Sequence, residues 1–426
     1  MNNSDVIVIG GGASGMMAAL FAARGGASVR LLERNEKLGK KIYITGKGRC
    51  NLTNSADHDT FMRQIMRNPR FCYAALSFFD NAALMELIRG QGVPLKEERG
   101  GRMFPVSDHA SDVTKALERA MQRAGVKVAL GARVTAIRLD ESGAACGVTL
   151  DNGQSLDAAA VIVATGGQSY PTTGSTGDGW RFAEASGHRT RPALPALTGI
   201  ETRETWPAGL SGLTLKNVAL TAHGPKKKPL YREQGELLMT HFGISGPLAL
   251  TLSSVLPEDC EGIRLSIDLK PALDEATLDQ RILRDLREAS RKQMTSIMDG
   301  LTPHALGQVV LTLSGVPADL PANALTQPMR RALVATIKAL PLTVKGLRGL
   351  DEAIVTRGGV VVGDIDPSTM ASKKVPGLYF AGETIDIDAL TGGFNLQLAF
   401  STGALAGHSA AARVCGPNES ISEETT

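Results

Sequence analysis

The hydrophobic pattern at the start of the chain predicts a β-α-β unit. Residues 5–9 form a short β-branched run of the kind that parallel sheets bury on both faces. The run leads into the glycine-rich segment 10–15, and an Ala- and Met-rich stretch over 16–24 then has the composition of a helix. A second strand over 28–33 ends in an acidic residue, Glu33. This order is typical of nucleotide-binding α/β folds.

Further along the chain, the pattern predicts that this domain is discontinuous. Residues 72–92 and 107–124 have helical periodicity, whereas 126–163 alternates as short strands. Prolines punctuate short strands beyond Arg191, helical spacing follows, and a core strand returns at 376–381. The predicted division is a nucleotide-binding domain at 1–190 and 350–415, an inserted β-rich domain at 191–270, a helical domain at 271–349 and a flexible tail at 416–426.

The composition narrows the class of protein. Hydrophobic residues make up 43% of the 426 and charged residues 21%, which excludes a chain that is disordered throughout. The net charge of +3 and the aromatic content of 4% argue against a stacking platform for single-stranded nucleic acid. Five cysteines without a C-x-x-C pair indicate neither a disulfide framework nor a metal site. Because no uncharged apolar run is long enough to span a membrane, we expect a cytoplasmic protein.

The first glycine motif has the spacing of a dinucleotide-binding turn. Gly10-x-Gly12-x-x-Gly15 follows a strand and opens a helix. Gly10 permits the tight turn, Gly12 lets the backbone approach a pyrophosphate, and Gly15 allows close packing of helix and strand. The helix N-terminus at Ala13 and Ser14 offers free N–H groups to the phosphates. The motif therefore predicts a dinucleotide, and FAD and NAD both remain open.

Glu33 supports the same prediction from the end of the second strand. A carboxylate at this position can accept hydrogen bonds from the adenosine ribose, and it would repel a 2′-phosphate. Arg34, the next residue, is a further candidate for contact with the cofactor.

The end of the chain separates FAD from NAD. A strand over 377–381 is followed by Gly382-Glu383, and residues 391–396 then open a helix. In two-part FAD folds this arrangement places the acid at the ribityl chain. The helix N-terminus, with the N–H groups of Asn395 and Leu396, faces the flavin end where negative charge grows on reduction. A plain NAD dehydrogenase has no use for this second element, so we predict FAD.

A third cluster, residues 39–54, combines glycines, cations and small polar groups directly after the second strand. Such a loop can wrap a pyrophosphate and reach toward the reactive ring. Cys50, between Arg49 and Asn51, is the candidate catalytic residue, as a proton donor beside the flavin. A role for Cys50 in packing the loop stays open.

The predicted cofactor contacts share one feature, which is that they lie at the turns and helix starts described above or at the edge of a neighbouring strand. They are Gly10, Gly12, Ala13, Ser14, Gly15, Glu33, Arg34, Lys40, Gly48, Arg49, Asn51, Val134, Thr165, Gly166, Gly167, Gly382, Glu383, Gly392, Gly393, Asn395 and Leu396.

With these clusters in view, the sequence resembles the BaiN/RdsA-type family of bacterial FAD-dependent oxidoreductases. The most specific matches are Thr-Gly-Lys-Gly-Arg-Cys-Asn at 45–51 and the pair formed by Gly382-Glu383 and residues 391–397. Further matching stretches run from 10 to 407, so the resemblance covers essentially the whole chain. It implies a Rossmann-like fold of the glutathione-reductase and fumarate-reductase type, with an inserted β domain and a helical domain. It also implies flavin-mediated reduction of a carbon–carbon double bond, in steroid-like enones or in uridine of ribosomal RNA.

The predicted function is therefore FAD-dependent reduction of a C=C bond by hydride transfer from reduced flavin to a small-molecule substrate. The sequence shows a single dinucleotide motif, so NAD(P)H is expected to bind only transiently, as the electron donor. Three alternatives remain open. They are the reduction of uridine in ribosomal RNA to dihydrouridine, amine oxidation with O₂, and a flavin-binding protein with a non-catalytic interaction role. The oligomeric state is left unknown.

Overall fold

The computed structural model describes residues 4–226 and 228–416. The predicted tail beyond Gly416 lies outside these residues. The strands of the described residues are β1 (Ser4–Ile9), β2 (Val29–Glu33), β3 (Thr53–Asn54), β4 (Leu95–Glu98), β5 (Arg102–Pro105), β6 (Lys127–Leu130), β7 (Val134–Leu139), β8 (Ala145–Leu150), β9 (Ser155–Val163), β10 (Thr190–Ala196), β11 (Ile200–Thr202), β12 (Thr214–His223), β13 (Tyr231–Thr240), β14 (Gly243–Ser245), β15 (Arg264–Asp268), β16 (Leu340–Leu347), β17 (Val355–Val360) and β18 (Leu378–Phe380).

The α-helices of the same residues are α1 (Ala13–Arg24), α2 (Lys40–Ile44), α3 (His58–Gln64), α4 (Pro69–Phe78), α5 (Asn81–Gly90), α6 (Ala110–Arg123), α7 (Asp178–Ala185), α8 (Gly246–Val255), α9 (Glu275–Glu288), α10 (Met294–Met298), α11 (His304–Ser314), α12 (Gln327–Lys338) and α13 (Phe394–Cys415).

The first compact unit, which among the described residues comprises 4–195 and 350–416, is built around a seven-stranded sheet. The strand order is β6-β2-β1-β9-β8-β7, and β18 pairs with β9. β1 runs parallel to β2 and β9, and β18 runs parallel to β9, while β7, β8 and β9 form an antiparallel meander. The predicted Rossmann-like fold is confirmed, including the return of the chain to the sheet near its end.

Small residues bring α13 against α1, which fixes the direction of the last helix. A Cβ at Gly403 would lie 2.2 Å from the carbonyl oxygen of Ser14, and one at Gly407 would lie 2.1 Å from that of Ala18. Both distances are far below van der Waals contact, so only glycine permits this approach. The middle of α13 is thereby held beside the N-terminal half of α1.

One predicted helix is two helices in the structure. The periodicity predicts a helix over 72–92, but α4 ends at Phe78 and α5 begins at Asn81. Asp80 caps α5, because its carboxylate accepts a hydrogen bond of 2.8 Å from the N–H of Ala83. The apolar stretch Pro69–Gly90 is long enough to span a membrane by length and composition alone, yet it is divided at this cap.

The second compact unit spans residues 196–349. Strands β11-β14-β13-β12-β15-β16 close into an antiparallel barrel. Helices α8 to α12 share one hydrophobic core with the barrel. The β-rich and helical stretches, which the sequence analysis treats as two domains, therefore bury their apolar faces together.

Candidate functional site

A cavity opens at the carboxyl ends of β1, β2 and β9. Ile9–Ser14, Leu32–Asn35 and Ala164–Gly166 line it where the three strands end. Parallel sheets with helices on both faces usually bind ligands at this edge. Residues from the end of the chain, including Glu383 and Asn395, complete the lining.

The glycine turn between β1 and α1 shapes one end of the cavity. Gly10 has a φ of +102°, and a Cβ there would lie 2.5 Å from the carbonyl oxygen of Ala164. Gly12 differs, because no atom lies within 4 Å of the position that its Cβ would take. Gly12 precedes the first turn of α1, whose N–H groups have no partner within the helix. The backbone here is open to a ligand that carries negative charge.

Glu33 is buried and holds the glycine turn in place. Its Oε2 accepts a hydrogen bond of 2.6 Å from the N–H of Gly11. Its Oε1 accepts from the backbone N–H and the side-chain Nδ2 of Asn35, both at 2.7 Å. Asn35 also donates to the carbonyl oxygen of Thr173 at 3.0 Å, so it connects β2 to the 171–174 turn. Sequence analysis did not select Asn35, because an amide after a strand has no distinctive pattern.

Arg34 lines the cavity beside Glu33. Its Nη1 donates to Thr176 Oγ1 at 2.8 Å and lies 3.1 Å from Asp178 Oδ2. The guanidinium therefore fixes the crossover from β9 to α7 against the end of β2.

A half-buried ion pair lies at the other end of the lining. Lys41 Nζ donates to Glu383 Oε2 at 2.7 Å and to Ser169 Oγ at 2.6 Å. Glu383 Oε1 accepts from the N–H of Thr356 at 2.5 Å and from Ser169 Oγ at 3.1 Å. An ammonium has three N–H groups, so Lys41 keeps one donor beyond these two bonds.

The sequence analysis selected Lys40 instead of Lys41. Lys40 also lines the cavity, but its Nζ pairs with the exposed carboxylate of Glu36 at 2.8 Å. The two lysines are adjacent in α2 and point to different partners. The sequence alone gives no signal that distinguishes them, because Glu383 lies more than 300 residues away.

The N-terminus of α13 reaches the cavity through Asn395 and Leu396. The side chain of Asn395 is committed to the preceding loop: Oδ1 accepts from Ala389 N at 2.9 Å, and Nδ2 donates to Ala389 O at 2.7 Å. Only backbone N–H groups remain for a ligand at this helix end.

The cavity brings together most of the predicted cofactor contacts. Those that line it are Gly10, Gly12, Ala13, Ser14, Glu33, Arg34, Lys40, Val134, Thr165, Gly166, Gly382, Glu383, Asn395 and Leu396. Those that lie outside its lining are Gly15, Gly48, Arg49, Asn51, Gly167, Gly392 and Gly393, together with the catalytic candidate Cys50.

The residues outside the lining have structural partners instead. A Cβ at Gly15 would lie 1.8 Å from Gly10 O, so this glycine serves the packing of α1. A Cβ at Gly393 would lie 2.3 Å from Thr53 O, so the close approach here is to β3. Asn51 bridges the same elements, since its amide lies 3.2 Å from Thr53 O and 3.0 Å from Gly393 N.

Arg49 points away from the cavity. Its Nη1 lies 2.7 Å from Glu98 Oε1 and 3.5 Å from Asp108 Oδ1, and its guanidinium covers the ring of Phe104 at 4.3 Å. The loop that carries Arg49 turns through left-handed backbone at Gly46 and Lys47, which sends its side chains toward β5.

Comparison with known proteins gives one family and several full-length relatives. The model of the HI0933-like protein Rossmann domain matches residues 4–409. The chain belongs to this family. It is 34% identical over 412 residues to the 3-dehydro-bile acid delta(4,6)-reductase of Clostridium scindens, which covers 95% of this chain and 98% of that protein. It is 32% identical over 409 residues to the ribosomal RNA dihydrouridine synthase of Escherichia coli K12, with 94% and 96% covered.

A solved structure shares the fold at low identity. The 3-ketosteroid delta1-dehydrogenase of Sterolibacterium denitrificans aligns with a TM-score of 0.54 and 15% identity, covering 97% of this chain and 100% of that chain. The family match and the full-length relatives confirm the resemblance that the sequence motifs indicate and the class of FAD-dependent oxidoreductase.

The cavity of this HI0933-like protein fits FAD. The open position at Gly12 leaves room for a pyrophosphate, Glu33 lines the same cavity as a candidate partner of the adenosine ribose, and the backbone N–H groups at the start of α13 are candidate donors to the flavin ring. The predicted cofactor is confirmed at the level of the family, while the individual contacts stay predictions. Among residues 4–226 and 228–416, no group of three or more His, Cys, Asp or Glu side chains could hold a metal ion.

Cys50 lies in the hydrophobic core of the first unit, fully buried and beside Thr45. Burial raises the pKa of its thiol to about 12. The thiol therefore stays protonated, but the structure places it in the core and not in the cavity lining. Its predicted role as a proton donor gains no support from this position.

We expect Cys50→Ala to reduce stability and to leave the flavin chemistry intact. Removing a buried sulfur leaves a small void, which should lower the free energy of unfolding by about 1–2 kcal/mol. The rate at which substrate reoxidises the reduced flavin should stay within about twofold of wild type, as measured by stopped-flow absorbance. A slowing of ~10²-fold in that half-reaction alone would restore the proton-donor assignment.

Proposed function

We propose that this protein reduces a C=C bond conjugated to a carbonyl group in a small molecule. The observation that carries the proposal is that one cavity joins the dinucleotide-binding turn at Gly12 to the Lys41–Glu383 pair and the start of α13. One cavity of this kind holds a two-part cofactor with its reactive end beside charged and polar groups. When bound, FAD supplies the hydride and takes up electrons from a donor.

The full-length relatives support the choice of bond. A 3-dehydro-bile acid delta(4,6)-reductase acts on double bonds conjugated to the 3-oxo group, and a dihydrouridine synthase saturates the uracil ring beside its carbonyl. Reduction of such a bond by a hydride donor would place the hydride on the carbon farther from the carbonyl and a proton on the nearer one. The proposal for this chain therefore rests on the bond that both relatives reduce, a C=C bond beside a carbonyl, and not on either of their substrates.

The residues of the chain have separate tasks in this proposal. The turn at Gly12 and the first turn of α1 bind the pyrophosphate, and Glu33 binds the adenosine ribose. Lys41, held by Glu383, presents a positive charge to the cavity. NAD(P)H stays the predicted electron donor. Because the sequence shows a single dinucleotide motif, NAD(P)H would bind only transiently. A cytoplasmic location is likewise part of the proposal.

Reduction of uridine in ribosomal RNA is the second candidate, because the relative that carries out this reaction matches the chain over nearly its whole length. The small-molecule substrate is favoured by the low aromatic content and the modest net charge of +3. An RNA ligand would be gripped mainly through its phosphates, which calls for a strongly basic surface.

The two candidates can be compared directly. FAD-loaded protein with NADPH is given a 3-oxo-Δ4 steroid in one reaction and a ribosomal RNA transcript in another, and mass spectrometry follows the gain of two hydrogens. We expect the steroid to become the saturated ketone. Reduction of uridine with the steroid unchanged would establish the second candidate. If neither the steroid nor the RNA gained hydrogen, the result would contradict C=C reduction of either kind of substrate.

A further inference from the structure

A buried carboxylate without a hydrogen bond lies beside the cavity, on the segment that joins Glu383 to α13. Asp388 directly follows Ile387, which lines the cavity, and the Asp388 side chain is 1% exposed. Neither of its carboxylate oxygens has a hydrogen-bond partner among the residues that the structure describes. Buried polar groups are almost always hydrogen-bonded, because an unpaired one is costly. This carboxylate therefore needs an explanation.

The guanidinium of Arg67 forms an ion pair with this carboxylate. Arg67 Nε lies 3.3 Å from Asp388 Oδ1, in an ion pair without hydrogen-bond geometry. The Arg67 side chain is 30% exposed, so its outer end reaches solvent. Within residues 4–226 and 228–416, its two terminal nitrogens form no hydrogen bond or ion pair. The arginine is thus anchored at Nε and free at its forked end.

Backbone hydrogen bonds fix this arginine next to the cavity-lining segment. The N–H groups of Met66 and Arg67 donate to the carbonyl oxygen of Asp388 at 2.8 and 3.3 Å. The N–H of Leu390 donates to Gln64 O at 2.9 Å. Residues 64–67 and 388–390 therefore form a short paired stretch. The side chain of Asn395 forms hydrogen bonds with the backbone of Ala389 within it.

The charges around Asp388 come from four elements. Arg67 and Arg357 of β17 lower its pKa, whereas burial and the neighbouring carboxylates of Asp386 and Glu383 raise it. Burial is the largest effect, and the pKa of Asp388 is raised to about 6. On α4, the buried thiol of Cys72 also senses the charge of Asp388. At neutral pH the carboxylate is mostly ionised and can hold Arg67.

We propose that Arg67, oriented by Asp388, binds the carbonyl oxygen that is conjugated to the C=C bond of the substrate. This assignment rests on the proposed function. The fork of Arg67 suits an oxygen that gains negative charge during the reaction. Asp388 is a positioning residue, and Arg67 is the group that touches substrate.

The chemistry balances with the cofactor that the family uses. When bound, reduced FAD would supply a hydride to the β carbon, and the π electrons of the C=C bond would then move to the carbonyl oxygen to give an enolate. The Arg67 guanidinium would stabilise the negative charge on the enolate oxygen. A proton from solvent then forms the C–H bond at the α carbon, so the substrate gains two hydrogens and the flavin is oxidised.

The first test is Arg67→Ala, with a 3-oxo-Δ4 steroid and a uridine-containing ribosomal RNA fragment as the probes. One of the two probes is expected to reoxidise the reduced flavin of the wild type. With that probe, we expect flavin reoxidation in the variant to be ~10²–10³-fold slower, the usual loss for one such hydrogen-bond donor. FAD affinity and flavin reduction should be unchanged, and added guanidinium ion should restore part of the rate. The matched control is Arg191→Met, because Arg191 pairs with Asp386 from an exposed position and should change the rate less than about threefold.

A binding measurement adds a readout that does not depend on turnover. For a steroid substrate, the oxidised wild type should bind the 3-oxo compound more tightly than its 3-hydroxy analogue, followed by the flavin absorbance. For an RNA substrate, the same comparison uses uridine and a 4-deoxy uridine analogue. Arg67→Ala should abolish the preference. An undiminished preference would overturn the assignment.

The role of Asp388 is tested by the pH profile. As pH falls through about 6, Asp388 becomes neutral and releases Arg67, so the wild-type rate of flavin reoxidation should fall. Asp388→Asn should react slowly and show no such change between pH 5 and 8. If the wild type is active and both variants match it, only the Arg67 assignment fails. If the wild type reduces neither probe, the proposed function fails with it.

Discussion

Gly12→Val is expected to empty the cofactor site while the protein stays folded. A side chain at Gly12 meets no protein atom within 4 Å, so it would project into the cavity and block the approach of the backbone to a pyrophosphate. The steric cost of about 3 kcal/mol or more corresponds to a loss of FAD affinity of ~10²-fold or more. Fluorescence titration of the apoprotein with FAD, together with thermal unfolding, measures both effects.

Gly15→Val provides the matched control in the same motif. Its Cβ would lie 1.8 Å from Gly10 O, so the turn itself has to move and the protein should unfold at a lower temperature. The two glycines thus separate a ligand effect from a folding effect. If Gly12→Val binds FAD as the wild type does, the position of the pyrophosphate is wrong.

Lys41→Met is expected to destabilise the protein by about 2 kcal/mol, because Glu383 then keeps its charge in a place that is only 18% exposed. The double variant Lys41→Met/Glu383→Gln should recover most of this loss, since neither charge remains. Chemical denaturation of the apoproteins gives the four free energies of unfolding for the cycle.

Lys40→Met is the control, because Lys40 pairs with Glu36, whose side chain is 71% exposed. Its effect on the free energy of unfolding should stay below about 0.5 kcal/mol. Equal effects of the two lysine variants, or a double variant that is less stable than Lys41→Met, would contradict the pairing of Lys41 with Glu383.

The parts of the site that depend on local backbone chemistry could be predicted from the sequence. The turn at Gly10 and Gly12 and the acid at Glu33 lie within one β-α-β unit, where spacing alone fixes the geometry. The start of α13 could also be predicted, because glycines and a strand precede it. In each case a few consecutive residues carry the whole signal.

The parts that depend on distant contacts could not be predicted. Lys41 and Asn35 acquire their roles from Glu383 and Thr173, which no local pattern connects to them. Cys50 and Arg49 stand in a distinctive motif, yet the left-handed backbone of their loop sends one into the core and the other to Glu98. A motif shows that a loop matters, whereas only tertiary structure shows which of its side chains reach the ligand.

The central claim is that reduced flavin in this protein gives its hydride to a C=C bond beside a carbonyl. The most direct measurement is a single turnover without oxygen, in which photoreduced, FAD-loaded protein is mixed with a 3-oxo-Δ4 steroid or the ribosomal RNA fragment. Flavin absorbance is followed in time and the product by mass. The account predicts that one of the two probes reoxidises the flavin and yields one saturated product per flavin. A flavin that stays reduced with both probes, or that is reoxidised with the double bond intact, would contradict it.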